Sequence, residues 1–229
     1  MSGAPMPPEP AQGPVGFPPA VSTAAEFCAA TGVSRETAAR LTLYVDQLAR
    51  WQRAINLVGR ATLATVWQRH LLDSAQLLSH LQQPPAPLVD LGSGAGFPGL
   101  VLAILGVPDV HLIESDVRKA AFLTETARLT ATRVTVHAKR IEDVPGFPAA
   151  VVTARALAPL AALLGLAQRF FGPATVGLFH KGRDWRRELT LAEEAWTMDV
   201  RCLPSVADPD SIVMRVASLR PAAPDVGAG

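Results

Sequence analysis

The run Val89-Asp90-Leu91-Gly92-Ser93-Gly94-Ala95-Gly96-Phe97-Pro98-Gly99 holds the residues best able to organise chemistry: a carboxylate ending an apolar segment, then four closely spaced glycines. Glycine lacks a Cβ, takes positive φ and lets another molecule approach the main chain, so the run predicts a strand-to-helix turn that floors a nucleotide-like ligand. As a pattern it has two meanings, because Gly94-x-Gly96-x-x-Gly99 also spells a dinucleotide fingerprint, with Glu114 following at about the expected spacing of roughly 20 residues. Asp90 discriminates between them. A carboxylate at the end of the strand attracts the ammonium of a methionine moiety, directly or through water, and repels a pyrophosphate. The loop therefore favours S-adenosyl-L-methionine over NAD. Glu114, ending the next strand, is placed to accept hydrogen bonds from both ribose hydroxyls. Lys139-Arg140-Ile141-Glu142 follows the third strand, where its backbone and the Glu142 side chain can meet the adenine edge.

Those residues need a scaffold, and the hydrophobic pattern supplies one. Thr23 with Glu26 predicts a capping box for a helix ending near Gly32. Ser34 caps a second helix, with Leu41, Tyr44, Val45, Leu48, Trp51 and Ile55 at helical steps to about Leu57. A further stripe, Leu71, Leu72, Ala75, Leu78 and Leu81, ends at Pro84, Pro85 and Pro87. From Leu88 the period changes. Strand-like runs at 88–91, 110–113, 134–136, 150–154 and 175–179 alternate with helix-length segments at 98–105, 117–130 and 159–171. A polar helix around 185–195 precedes 198–203 and 212–219, which can close the sheet as an antiparallel pair. The prediction is an α/β fold: a mostly parallel Rossmann-like sheet with helices on both faces, behind a helical cap. The expected division is a disordered tail over 1–21, helices over 22–86, a core over 87–220 that binds S-adenosyl-L-methionine and a second tail over 221–229.

A chain of 229 residues, 49% apolar, can bury one substantial core. No run of apolar residues is long enough for a membrane span, and no secretory signal stands at the start, so a cytoplasmic protein is expected. Cys28 and Cys202 are too few and too far apart for a disulfide framework or zinc site. The net charge of +1 does not announce a nucleic-acid binder, yet Arg50, Arg53, Arg60 and Arg69 precede the glycine loop and Lys139, Arg140, Lys181 and Arg183 follow it. Such groups can converge on one face.

Taken in order, Trp51-Gln52-Arg53-Ala54-Ile55-Asn56-Leu57, Arg69-His70-Leu71-Leu72-Asp73-Ser74, the loop from Asp90 to Gly99, Ile113-Glu114-Ser115, Arg118-Lys119, Phe122-Leu123, Arg140-x-Glu142, Ala154-Arg155-Ala156 and His180-Lys181-Gly182 resemble the RsmG (GidB) family of bacterial small-subunit ribosomal RNA methyltransferases. The resemblance spans nearly all of the chain between the tails and is most specific in Arg-His-x-x-Asp-Ser followed by Gly-x-Gly-Phe-Pro-Gly. It implies a class I fold and methyl transfer from S-adenosyl-L-methionine to N7 of guanine 527 in 16S ribosomal RNA, presented as RNA or as a small-subunit particle. It further implies that Gly92 and Phe97 contact the cofactor, that Ile141 and Glu142 hold its adenosine end, and that Arg155 completes the pocket, with Asp90, Gly94 and Glu114 as read above. Since the N7 lone pair is already nucleophilic, no catalytic base is expected. Lys119, Arg140 and Lys181 are the positioning candidates, Arg118 and Arg155 further candidates for RNA contacts, and a monomer is favoured. The family's common Trp-Asn stands here as Trp51-Gln52 and its Asn-Leu-Thr as Asn56-Leu57-Val58. From the residues alone, an NAD(P)-dependent oxidoreductase and a non-catalytic RNA-binding assembly protein remain as alternatives.

Overall fold

The computed structural model describes residues 21–81 and 86–223. The expected tails over 1–20 and 224–229, and the helix-stopping Pro84 and Pro85, lie outside the described residues. At the tail boundaries Val21 belongs to the folded body, buried with its amide donating to Gln68 Oε1 at 2.8 Å, and Pro221 ends the last strand.

The cap begins as the sequence predicts. Thr23 and Glu26 form a reciprocal capping box on α1 (Ala24–Thr31), and Gly32 ends it at φ 72°, in the left-handed region. Ser34 accepts from the Thr37 amide and opens α2 (Arg35–Trp51). Leu41 and Leu48 are fully buried, which is worth about 1.5–3 kcal/mol each. The helix stops at Trp51, short of the expected Leu57, because the Gln52 side chain folds the following residues into a turn. Its Oε1 accepts from the Leu57 and Val58 amides at 2.9 and 3.0 Å, and its Nε2 donates to the Val58 carbonyl at 2.8 Å. After α3 (Arg60–Leu63), a π-helical segment (Trp67–Leu72) leads into α4 (Asp73–Ala75) and a 3-10 segment (Gln76–His80), where a uniform helical stripe was expected.

The seven strands are β1 (Leu88–Leu91), β2 (Val110–Ile113), β3 (Thr135–His137), β4 (Val151–Arg155), β5 (Val176–Lys181), β6 (Trp196–Pro204) and β7 (Ile212–Pro221). They form one sheet in the order β3-β2-β1-β4-β5-β7-β6. β1 to β5 are parallel, and β7 runs antiparallel to both β5 and β6, as the two closing segments predict. α5 (Gly99–Ile104) and α6 (Val117–Leu129) join the cap on one face, where Leu41, Tyr44, Leu100 and Phe122 pack together. α7 (Leu160–Ala167) and α8 (Trp185–Glu193) cover the other face through Leu160, Leu164, Trp185 and Leu189. Chain order reverses between β1 and β4, and that switch point leaves a crevice at the carboxyl ends of the strands.

Candidate functional site

A cavity of about 820 Å³ occupies this crevice, between the glycine loop, the cap and the turns that follow β2, β4 and β5. Gly92, Gly94 and Gly96 hold φ at 63°, 56° and 93°, so the loop depends on three left-handed residues. At Gly94 a Cβ would meet nothing nearer than 3.8 Å, which leaves the backbone open to a ligand. Gly99 serves close packing instead: a Cβ there would stand 2.6 Å from Asp90 Cβ, so only glycine lets α5 rest on β1. The Tyr44 hydroxyl of α2 donates to the Ala95 carbonyl and ties the cap to the loop.

Glu114 lines the cavity with its carboxylate held from behind. Oε2 accepts from the Gly94 amide at 2.8 Å and Oε1 from the Asp116 amide at 2.7 Å. Each carboxylate oxygen has a second lone pair for a ligand hydroxyl, which fits the expected ribose contact.

Arg155, from the end of β4, crosses to the cap. Its guanidinium donates to the Arg69 carbonyl at 3.1 Å, Asp73 Oδ2 at 3.3 Å and His70 Nδ1 at 2.8 Å, and lies 4.9 Å from the centre of the Phe97 ring. Because arginine can only donate, His70 Nδ1 accepts, and Nε2–H donates to Thr62 Oγ1 at 2.9 Å. The ring is neutral. Burial, then the positive charge of Arg155, lowers its pKa to about 3. His70 also stacks on Phe97 with centroids 4.8 Å apart. Arg155 is thus the shared partner of His70 and Asp73.

Lys181 is 7% exposed, with Nζ donating to the Ala158 carbonyl at 2.9 Å and to Glu188 Oε2 at 2.7 Å. This positioning candidate is a buried cation whose ammonium is already engaged by protein groups. Lys119 lines the opposite side, half-buried and with no ion pair among the described residues. Arg118 turns away to pair with Asp116 at 3.2 Å.

Gly92, Gly94, Phe97, Glu114, Arg155, Lys119 and Lys181 therefore meet around one cavity. Asp90, Arg140, Ile141 and Glu142 do not line it. Asp90 is the clearest correction. Its side chain points under α5 with no exposure, Oδ1 accepts from the Thr153 hydroxyl at 2.7 Å, and Oδ2 has no hydrogen-bond partner among the described residues. Burial raises its pKa to about 6, and its charge supports the loop from beneath instead of facing an ammonium. Ile141 is buried in a 3-10 turn, its carbonyl accepting from Arg169 at 2.8 Å, while Arg140 and Glu142 are exposed beside it. Trp51 lies edge-on to Phe122 and Trp196 donates to the Ala161 carbonyl, so neither lines the cavity. Sequence reading missed Glu188, Asp208 and the Ala156–Pro159 turn. Glu188 belongs to an ordinary amphipathic helix, and only the fold brings it to Lys181.

The family described as rRNA small subunit methyltransferase G matches residues 37–211. The chain belongs to this family. Similar relatives named ribosomal RNA small subunit methyltransferase G include one from Rhodospirillum centenum, 56% identical over 89% of this chain and 94% of the relative. Another, from Rhodospirillum rubrum, is 54% identical over 84% and 96%. Solved structures share the fold at low identity. Ribosomal protein L11 methylase from Lactobacillus delbrueckii subsp. bulgaricus has a TM-score of 0.53 at 16% identity, covering 64% of this chain and 76% of that one. Magnesium protoporphyrin IX methyltransferase from Synechocystis PCC 6803, solved with S-adenosylmethionine, has a TM-score of 0.52 at 15% identity, covering 81% and 98%. The fold is thus that of class I methyltransferases. Membership in the methyltransferase G family sets aside the oxidoreductase alternative, and no helix among the described residues is long and apolar enough to cross a membrane.

Proposed function

We propose that this chain transfers the methyl group of S-adenosyl-L-methionine to N7 of guanine 527 in 16S ribosomal RNA. The observation that carries the reading is the pairing of an open, left-handed glycine loop with Glu114 in one cavity, in a chain of the methyltransferase G family. Gly92, Gly94, Phe97 and Glu114 would hold the cofactor, whose sulfonium supplies an electrophilic methyl.

The chain's own residues then have two tasks. Guanine N7 needs no proton removed, so the protein aligns the base and does not activate it. Neutral His70, the paired Arg155 and the paired Lys181 suit this role, since none acts as a free base. The second task is charge balance. Methylation leaves a positive charge on guanine, and Asp73, Glu114, Glu188 and Asp208 surround the cavity with carboxylates that offset its cations. Lys119, at the cavity's edge, is a side chain available to meet RNA phosphates, whereas Arg69 beside it is already paired with Asp208 at 2.5 Å.

The test is incubation of small ribosomal subunits from a strain lacking the enzyme with methyl-labelled S-adenosylmethionine, followed by mapping of the labelled nucleotide. Label at N7 of guanine 527 is expected. Label elsewhere overturns the position, and cofactor binding without transfer to any ribosomal RNA form supports a non-catalytic binding protein instead.

A further inference from the structure

The turn after β4 forms the wall of the cavity facing the glycine loop, and its shape is not self-supporting. Ala156 stands at φ 53°, a left-handed conformation that a non-glycine residue holds only when its surroundings impose it. Leu157 follows, with its Cδ1 2.5 Å from where a Cβ on Gly92 would lie, so this side chain closes directly over the loop. Pro159 then begins α7 without a side-chain cap.

The external support comes from one carboxylate oxygen. Glu188 Oε2, on α8, accepts from the Leu160 amide at 2.8 Å and from Lys181 Nζ at 2.7 Å. Lys181 in turn donates to the Ala158 carbonyl at 2.9 Å. The turn is therefore gripped at two backbone points, Ala158 C=O and Leu160 N–H, by an ion pair of a buried lysine and a half-buried glutamate anchored on β5 and α8. A carboxylate at the first amide of α7 is also favoured by that helix's orphan N–H groups.

We propose that Glu188 is a positioning residue for methyl transfer: through Lys181 and the Leu160 amide it sets the distance between the Ala156–Pro159 turn and the glycine loop. The inference rests on the methyltransferase reading above. Glu114 and the Gly94 amide lie on a different part of the cavity wall and make no contact with Glu188. Loss of the clamp thus affects alignment at the reacting end more than affinity for the cofactor.

Glu188→Ala removes both acceptor contacts and leaves the Lys181 charge uncompensated. Glu188→Gln can keep an oxygen in the same place, so it preserves the geometry and removes only the charge. The expected result for Glu188→Ala, on deficient small subunits, is a fall in kcat of about a hundredfold, the scale of a misplacement near 1 Å. The Kd for S-adenosylhomocysteine, by calorimetry, should stay within about threefold, and Glu188→Gln should recover most of kcat. A second readout needs no RNA: hydrogen exchange at the Leu160 amide should accelerate in Glu188→Ala and stay protected in Glu188→Gln. Unchanged kcat in Glu188→Ala, equal losses of kcat and cofactor affinity, or an inert Glu188→Gln would each overturn the proposal. Should Glu188→Ala fail to fold, Glu188→Asp, too short to reach both donors, takes its place with the same expected split. If wild-type protein labels no RNA, the functional reading fails; the Leu160 exchange still judges the clamp.

Discussion

Gly92 combines two demands that no other residue type meets at once. Its φ of 63° is in the left-handed region, and the direction a Cβ would take is occupied by Leu157. A valine there costs about 1–3 kcal/mol in backbone strain and pushes Leu157 off the loop. Gly92→Val is expected to weaken S-adenosylhomocysteine binding by at least about tenfold while a cooperative thermal transition remains. Calorimetry and circular dichroism together check this, and an unchanged Kd would contradict the loop's assignment. Arg155 makes a different demand. Its removal leaves the mostly buried Asp73 carboxylate without its cation and His70 Nδ1 without a donor, so Arg155→Ala should lower the free energy of unfolding by about 3 kcal/mol, measured in urea. Arg155→Lys should recover little, since a point charge cannot span three acceptors. At this scale the sequence conveyed residue types better than directions. The places of Glu114 and the glycines at the cavity were legible because they follow from backbone position, whereas the direction of Asp90 was misread because a strand residue faces one side or the other. The pattern of β1, buried along its whole length, does not say which.

Elements were legible where one face is apolar and the ends are marked. The strands of the parallel sheet read as short apolar runs, and α1 and α2 carry their caps in Thr23, Glu26, Gly32 and Ser34. The end of α2 was not legible. Val45, Trp51 and Ile55 continue the helical stripe, but the local competition is won by Gln52, whose side chain satisfies two amides and a carbonyl of the next turn. That turn matters because Leu57, Val58 and Gly59 line the cavity on the cap side. Gln52→Ala is expected to cost about 1–3 kcal/mol, as three partners lose one side chain. It should raise KM for small subunits with little change in cofactor Kd, and a larger effect on Kd than on KM would show that the turn serves the cofactor. The π-helical segment was equally hidden, since a single widened turn leaves Leu71, Leu72 and Ala75 in a helical pattern while rotating Arg69, His70 and Asp73 toward β4 and β5.

On the scale of the whole molecule, two buried groups on either side of the joint between cap and sheet titrate in opposite senses. His70, on the cap, has a folded pKa near 3 against about 6.5 for a free imidazole. Between those values the unfolded chain binds the extra proton, so this contribution to stability is complete above pH 6.5 and is lost as the pH falls. Asp90, under the loop, works in the opposite sense. Its folded pKa of about 6 lies above the ordinary 3.8, so the folded chain holds the proton through that interval and stability declines as the pH rises from 4 to 6. From pH 6.5 to 4 the His70 contribution is worth about 3 kcal/mol and that of Asp90 about 2 kcal/mol, so the two largely offset one another. Single variants should separate them. His70→Gln keeps an acceptor for Arg155 but cannot be protonated, so on acidification it should lose about 3 kcal/mol less unfolding free energy than the wild type. Asp90→Asn removes the opposing titration and should lose about 2 kcal/mol more over the same interval. Urea denaturation at half-unit steps of pH measures both. If the two variants tilt the profile in the same direction, or neither tilts it, burial does not shift the two groups in the opposite senses described.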